Sequence, residues 1–178
     1  FHDFAPLVFY DLKQLHGVSV EEYLFSLGPE KVLGNFFLGT LEGICEVVST
    51  ARSGSFFFKT LDQRYILKTI PSMEDELLRL ALHSYHTFLR NNPDSLLCRI
   101  FGSHRVSHKG HRANVIVMEN LFSAQLPIHV QFDLKGSTVA RKVGAKNMSP
   151  DRAGKDVDFL AYQKTLRVGK ETKAKLME

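Results

Sequence analysis

Apolar positions along the chain alternate between helical and strand spacing, and the alternation sets an order of elements. Val8, Leu12 and Leu15 fall on one face of a short helix that Asp3 is placed to cap. A second helix opens on the capping box Ser19-x-x-Glu22, continues through Tyr23, Leu24 and Leu27, and stops at Gly28-Pro29. The pattern is ambiguous over 29–50, where Gly34, Gly39 and Gly43 sit among apolar pairs. Two β-rich runs follow, Ser53 to Thr60 and Tyr65 to Ile70, around the polar turn Leu61-Asp62-Gln63-Arg64, and they predict a hairpin. Ser72-x-x-Asp75 after Pro71 reads as another capping box. It opens a helix with Leu77, Leu78, Ala81, Leu82, Tyr85, Phe88 and Leu89 at helical spacing, ended by Asn91-Asn92-Pro93. Strands are expected over Leu97–Val106 and Ala113–Glu119, joined by a loop at Gly110, and again leading into Phe132 and Asp133. Residues 142–156 read as a polar loop, and Lys170–Glu178 begins a helical pattern that breaks off. Helices, hairpin, helix and antiparallel strands in that order give an α+β domain, with one sheet face packed and the other free for a ligand.

Composition narrows the class. With 44% hydrophobic residues the chain can bury a core, which excludes low-complexity disorder. No apolar run approaches the roughly 18 residues of a membrane span. The chain opens at Phe1 without a charged-then-apolar leader, and more chain is expected past Glu178. Cys45 and Cys98 form no metal or redox spacing and read as buried thiols in a reducing compartment. The net charge of +4 is unevenly placed: residues 1–134 carry a net −2 and residues 135–178 a net +6. A one-sided positive field fits a solvated surface or a phosphate-bearing partner. Nucleic acid is disfavoured, because only Phe159 and Tyr162 follow residue 141 as stacking platforms.

Candidate chemistry concentrates in a few stretches. Ser53-Gly54-Ser55 is compact enough to approach phosphates with backbone N–H groups. Lys68 leaves the second hairpin strand on the side opposite Leu67, and Glu76 lies one turn into the next helix, within reach of it. An ATP site of the protein-kinase kind needs a lid over the phosphates, a strand lysine and a helix glutamate, although an ordinary hairpin with an exposed lysine has the same pattern. Val115-Ile116-Val117-Met118-Glu119-Asn120-Leu121-Phe122 reads as a buried strand running into an exposed connector, the place where such a lobe reads adenine, although a plain core strand followed by a turn has the same pattern. Asp133 to Arg141 gathers Lys135, Gly136, Ser137, Thr138 and Arg141, the donor types that bind phosphate. The eight histidines show no metal-ligand spacing, so no metal residue is assigned.

Asp133-Leu134-Lys135-Gly136-Ser137-Thr138 followed by Arg141 resembles the DLKGS signature of the phosphatidylinositol phosphate kinases. Tyr10–Gly17, Tyr23–Ser26, Ser53–Phe57, Ile66–Thr69, Val117–Phe122 and Asp156–Leu160 follow the same family in order. The resemblance implies a kinase-like N-lobe over 1–178, with a helical dimerisation region at 1–50, a nucleotide-binding sheet and helix at 51–141, and a basic loop and helix start at 142–178. It implies that Ser53, Gly54, Ser55, Phe56 and Phe57 cover the ATP phosphates, that Lys68 contacts them with Glu76 as its partner, and that Met118 to Phe122 face the adenine. Lys135 and Arg141 would lie near the transferred phosphate and the lipid headgroup. It also implies a homodimer, peripheral attachment to anionic membranes at the cytosolic face, and phosphorylation of a phosphatidylinositol monophosphate. The 5-kinase reading comes first, and the 5-phosphate 4-kinases stay open. The catalytic-loop Asp and the Mg²⁺-binding Asp of that family are expected beyond Glu178, so this chain alone is expected to be inactive. A non-catalytic phosphoinositide-binding scaffold is the alternative.

Overall fold

The computed structural model describes residues 1–28, 44–47, 55–108, 110–122, 127–150, 152–162 and 168–177. The chain divides into two compact units, Phe1–Ala124 and Gln125–Glu178.

The first unit is built on a six-stranded antiparallel sheet. Its strands are β1 (His2–Asp3), β2 (Ile44–Val47), β3 (Phe57–Thr60), β4 (Tyr65–Ile70), β5 (Ile100–His108) and β6 (His111–Glu119), in the order β1-β5-β6-β4-β3-β2. The hairpin expected from the sequence is β3–β4, with Phe57 opposite Lys68 and Lys59 opposite Ile66. Its turn is organised by one carboxylate: Asp62 accepts from Thr60 Oγ1 (2.5 Å), the Arg64 N–H (3.2 Å) and the Ser26 hydroxyl. Gln63 takes a left-handed backbone there (φ 58°). Gly110, at φ 85°, turns β5 into β6.

Among the described residues three helices flank the sheet: α1 (Pro6–Leu15), α2 (Val20–Leu27) and α3 (Ser72–Asn91). Ser19 caps α2 as its spacing predicts, accepting from the Glu22 N–H at 3.4 Å. Tyr23 and Leu27 of α2 join Tyr65, Leu67, Phe101, Val106, Val115 and Val117 in one buried cluster. Phe9 and Leu12 of α1 meet Leu82 and Leu89 of α3 in another. Each such side chain contributes on the order of 1.5–3 kcal/mol on burial.

Several expectations are corrected. Asp3 does not cap α1. It sits in β1 opposite His104, and Ala5, with a left-handed backbone, precedes the helix instead. Ser72 is not a cap either: α3 starts at Ser72 after Pro71, with no side-chain cap, and Asp75 is drawn inward to Arg79 (2.6 Å) and Arg105 (3.4 Å). The α3 stripe is only half used, since Leu77 and Phe88 stay exposed. Cys98 is exposed rather than buried.

The second unit pairs two short parallel strands, β7 (Phe132–Asp133) and β8 (Gly154–Lys155), against α4 (Asp156–Tyr162). Phe132 packs on Phe159 and Tyr162 with ring centroids 5.3 and 5.6 Å apart. The expected 142–156 loop contains a single 3-10 turn (Ala145–Asn147) and β8. The final helical pattern is α5 (Lys170–Met177). Among the described residues no helix is long and apolar enough to cross a membrane.

Candidate functional site

Lys68 is positioned by strand alternation. Leu67 enters the Tyr23 cluster, so Lys68 projects from the other face of the sheet, beside its cross-strand partners Phe57 and Ile116. Its ammonium lies 6.0 Å from the Phe57 ring centroid and 3.1 Å from Glu74 Oε2. The carboxylate that holds Lys68 is therefore Glu74, not the expected Glu76, which is exposed. Two residues along a helix amount to a rotation of about 200°. Once α3 begins at Ser72, Glu74 faces the end of β4 and Glu76 faces away.

The segment before β3 is tied to the strand that carries Lys68. The Phe56 N–H donates to Thr69 Oγ1 (2.8 Å), and the Thr69 N–H donates to the Phe56 carbonyl (2.9 Å). Phe56 itself is exposed. Ser55 is buried, and its hydroxyl has no partner among the described residues. An orphaned buried hydroxyl two residues before Phe57, the cross-strand partner of Lys68, suits a ligand oxygen. Ser53 and Gly54 lie outside the described residues.

The connector is pinned by Asn120. Its amide donates to the Gln63 carbonyl (2.6 Å) and the Phe122 carbonyl (3.0 Å), its Oδ1 accepts from the Phe122 N–H (3.2 Å), and its own N–H reaches the Arg64 carbonyl (3.0 Å). Glu119 is held by Arg99 at 3.3 Å. Met118 is half-buried, while Leu121 and Phe122 are exposed. Asn120 thus fixes the connector to the β3–β4 turn and leaves Leu121 exposed.

In the second unit the Asp133–Arg141 signature closes around Asp156. Asp156 Oδ1 accepts from the N–H groups of Lys135 (2.9 Å) and Gly136 (2.8 Å), and Oδ2 accepts from Arg141 Nε (2.7 Å). The Arg141 guanidinium and these backbone donors hold the Asp156 carboxyl far below the usual carboxylate range. Arg141 also donates to the Asp133 carbonyl and pairs with its carboxylate at 3.2 Å. Gly136 makes the turn at φ 66°, where a side chain would be strained. Asp158 does the same for the next turn, accepting from the N–H groups of Val143 (2.7 Å), Gly144 (2.9 Å) and Lys155 (3.0 Å). Arg141 is committed to this clasp with its side chain 11% exposed, whereas the Lys135 side chain is 65% exposed and only loosely paired to Asp133 at 3.4 Å. The roles of Glu74, Asp156 and Asp158 escape a reading of the sequence. The available signals were that Asp156–Leu160 follows the resembled family in order and that both carboxylates sit in α4's first turn, where carboxylates are commonplace; neither names their partners.

Comparison with known proteins gives the family. Residues 38–178 match the family model described as Phosphatidylinositol-4-phosphate 5-Kinase. A phosphatidylinositol 4-phosphate 5-kinase of Plasmodium falciparum is 35% identical over 100% of this chain and 11% of its own length. The its3 phosphatidylinositol 4-phosphate 5-kinase of Schizosaccharomyces pombe is 36% identical over 95% of this chain and 22% of its own length. The human type-1 alpha phosphatidylinositol 4-phosphate 5-kinase is 33% identical over 90% and 26%. The chain spans roughly a tenth to a quarter of the length of these relatives. The strand lysine with its helix glutamate, the tethered connector and the clasped DLKGS turn thus belong to an α+β domain of recognised lineage, and the chain is a member of the phosphatidylinositol-4-phosphate 5-kinase family.

Proposed function

We propose that this chain supplies the ATP-binding part of a lipid kinase that transfers the γ-phosphate of ATP to phosphatidylinositol 4-phosphate, giving the bisphosphate. The observation that carries the reading is the Lys68–Glu74 pair beside the tethered segment at Ser55 and Phe56. Lys68 offers a partly shielded ammonium to phosphate oxygens, and Glu74 keeps it from swinging into solvent. The orphaned Ser55 hydroxyl is a further donor for an oxygen anion. Leu121 and its neighbours take the adenine edge. Lys135 supplies charge to phosphate, and Arg141 acts as a positioning residue that shapes the turn carrying Lys135. Phosphoryl transfer depends on positioning and charge neutralisation rather than on covalent chemistry by the protein, which suits the Lys68, Glu74 and Ser55 arrangement of the first unit.

Mg²⁺ belongs to this reading, but the described residues offer it no site. They contain no group of three metal-ligating side chains, and Asp156 and Asp158 are saturated by N–H donors. The metal ligands and the catalytic base are assigned to residues outside this chain. The isolated 178 residues are accordingly expected to bind ATP without turning over. The 5-kinase assignment follows the names of the relatives, in preference to 4-kinase chemistry. A homodimer through the N-terminal helices is supported by the exposed Leu7, and attachment to anionic lipid by the exposed Lys135, Lys142, Lys146 and Arg152.

The test is thermal shift with ATP on the chain and on Lys68→Ala. ATP should raise the unfolding temperature of the first and not of the second. An unchanged shift in Lys68→Ala would remove the site. Binding to phosphoinositide vesicles without any ATP response would favour the scaffold alternative.

A further inference from the structure

We propose that the first unit binds a small apolar carboxylate, of the medium-chain fatty-acid type, in the cavity between α1, α2 and the sheet, with its head on Lys13. The cavity measures about 220 Å³. An engineered dry cavity of about 150 Å³ admits benzene, so this one has space for an aliphatic chain of medium length. Its walls are almost entirely apolar, among them Phe9, Leu24, Leu67, Phe101 and Val117. None of these residues takes part in the Lys68, connector or DLKGS arrangements.

One end of the cavity is polar, and it is built. Lys13 is 7% exposed, which is rare for a lysine. Its ammonium donates to the Phe101 carbonyl at 2.9 Å and lies 4.5 Å from the Tyr23 ring centroid. An ammonium carries three N–H donors. One is spent on Phe101 and one edge leans on the ring, so the described residues leave it short of acceptors and without a direct carboxylate partner.

The nearest anion is already engaged. Asp3 Oδ1 lies 2.5 Å from His104 Nδ1, and His104 Nε2 lies 3.1 Å from Tyr23 Oη. With Nδ1–H donating to Asp3, Nε2 accepts from the Tyr23 hydroxyl, and the relay is closed. Burial lowers the pKa of His104, which keeps it neutral and the relay in this sense. Gly102 makes the contact possible, since a Cβ there would stand 2.3 Å from Tyr23 Oη and 2.6 Å from His104 Nε2. Among the described residues the result is a largely apolar hollow whose one unpaired charge is the Lys13 ammonium, with the partnerless Ser103 hydroxyl also in its lining. A monoanion with an apolar body answers it. A phosphate dianion does not, because the site holds one cation and has Asp3 close by.

The experiment is calorimetry of the chain at neutral pH with decanoate and with 1-decanol. The proposal expects one equivalent of decanoate bound, at least about tenfold more tightly than decanol, because charge-assisted hydrogen bonds are roughly twice as strong as neutral ones. Lys13→Met should lower decanoate to the decanol level and spare decanol. Absence of decanoate binding, equal affinity for the two in the unaltered chain, or an undiminished preference in Lys13→Met would each overturn it. Should Lys13→Met fail to fold by circular dichroism, Leu24→Glu serves. Leu24 is half exposed at the cavity wall, so the change is tolerated, and the added carboxylate should weaken decanoate. Undiminished decanoate binding there overturns the proposal too. The ATP shift of Lys13→Met should equal that of the unaltered chain, so failure here leaves the nucleotide reading standing.

Discussion

Replacing Glu74 by Gln removes the carboxylate that holds Lys68 while keeping shape and helix propensity. The Nζ–Oε2 distance is 3.1 Å, with the Lys68 side chain 22% and the Glu74 side chain 46% exposed. At that separation two unit charges attract by about 1.3 kcal/mol in a water-like dielectric and about 5 kcal/mol at an effective dielectric of about 20. The glutamate is half in water, so the lower bound governs. Ordering two long side chains consumes part of even that, which leaves roughly 0.5–1 kcal/mol. A lysine released by that amount should bind ATP about 2–5-fold more weakly, since about 1.4 kcal/mol is tenfold. The loss should shrink as salt is raised, because the pair is open to screening. Glu76→Gln removes an equal charge from the same helix turn but touches nothing near Lys68, and is expected to change ATP affinity within experimental scatter. Calorimetric titration of ATP into both variants decides the matter. Equal losses in the two, or a larger loss in Glu76→Gln, would refute the assignment of Glu74.

Gly102→Ala drives a Cβ against Tyr23 and His104 and should cost about 1–3 kcal/mol, read as a fall of several degrees in unfolding temperature. Asp156→Asn should loosen the signature turn, seen as altered NMR amide shifts at Lys135 and Gly136 with the sheet unaffected; unmoved resonances would count against the clasp. The pH dependence has a definite sign. Burial lowers His16, with Arg99 adding to it, and burial lowers His104 against the pull of Asp3. Their unfolded forms take up protons first, so their stabilisation is complete above the ordinary value of 6.5 and is lost as pH falls below it. Asp156 and Asp158 are held down by Arg141 and by the Val143 N–H respectively, and their contribution is lost in the same direction below 3.8. The unfolding temperature should thus be level near neutrality and fall in steps on acidification, with the first step reduced in His16→Gln. A transition that sharpens on acidification would contradict this.

What the sequence alone determined is what lies within a turn or two of the backbone. The β3–β4 hairpin, the Ser19 cap, the run of α3 and the alternation that separates Leu67 from Lys68 all follow from spacing, because helix and strand periods act over neighbouring residues. The DLKGS stretch was legible for the same reason: its chemistry is contiguous. Tertiary structure decided the partners. Glu74 rather than Glu76 meets Lys68 because Pro71 sets where the helix begins, and two positions reverse the side a residue faces. Asp75 leaves its expected cap because Arg105, 30 positions away, competes for it. Asp3 becomes a strand residue because His104, 101 positions away, offers both a ladder and an N–H donor for its carboxylate. Asp156 closes the signature from 20 positions downstream. In each case a carboxylate had several legitimate uses, and the one adopted was fixed by which donors the packed chain brought within reach. That is a property of the packed chain, not of any window along it.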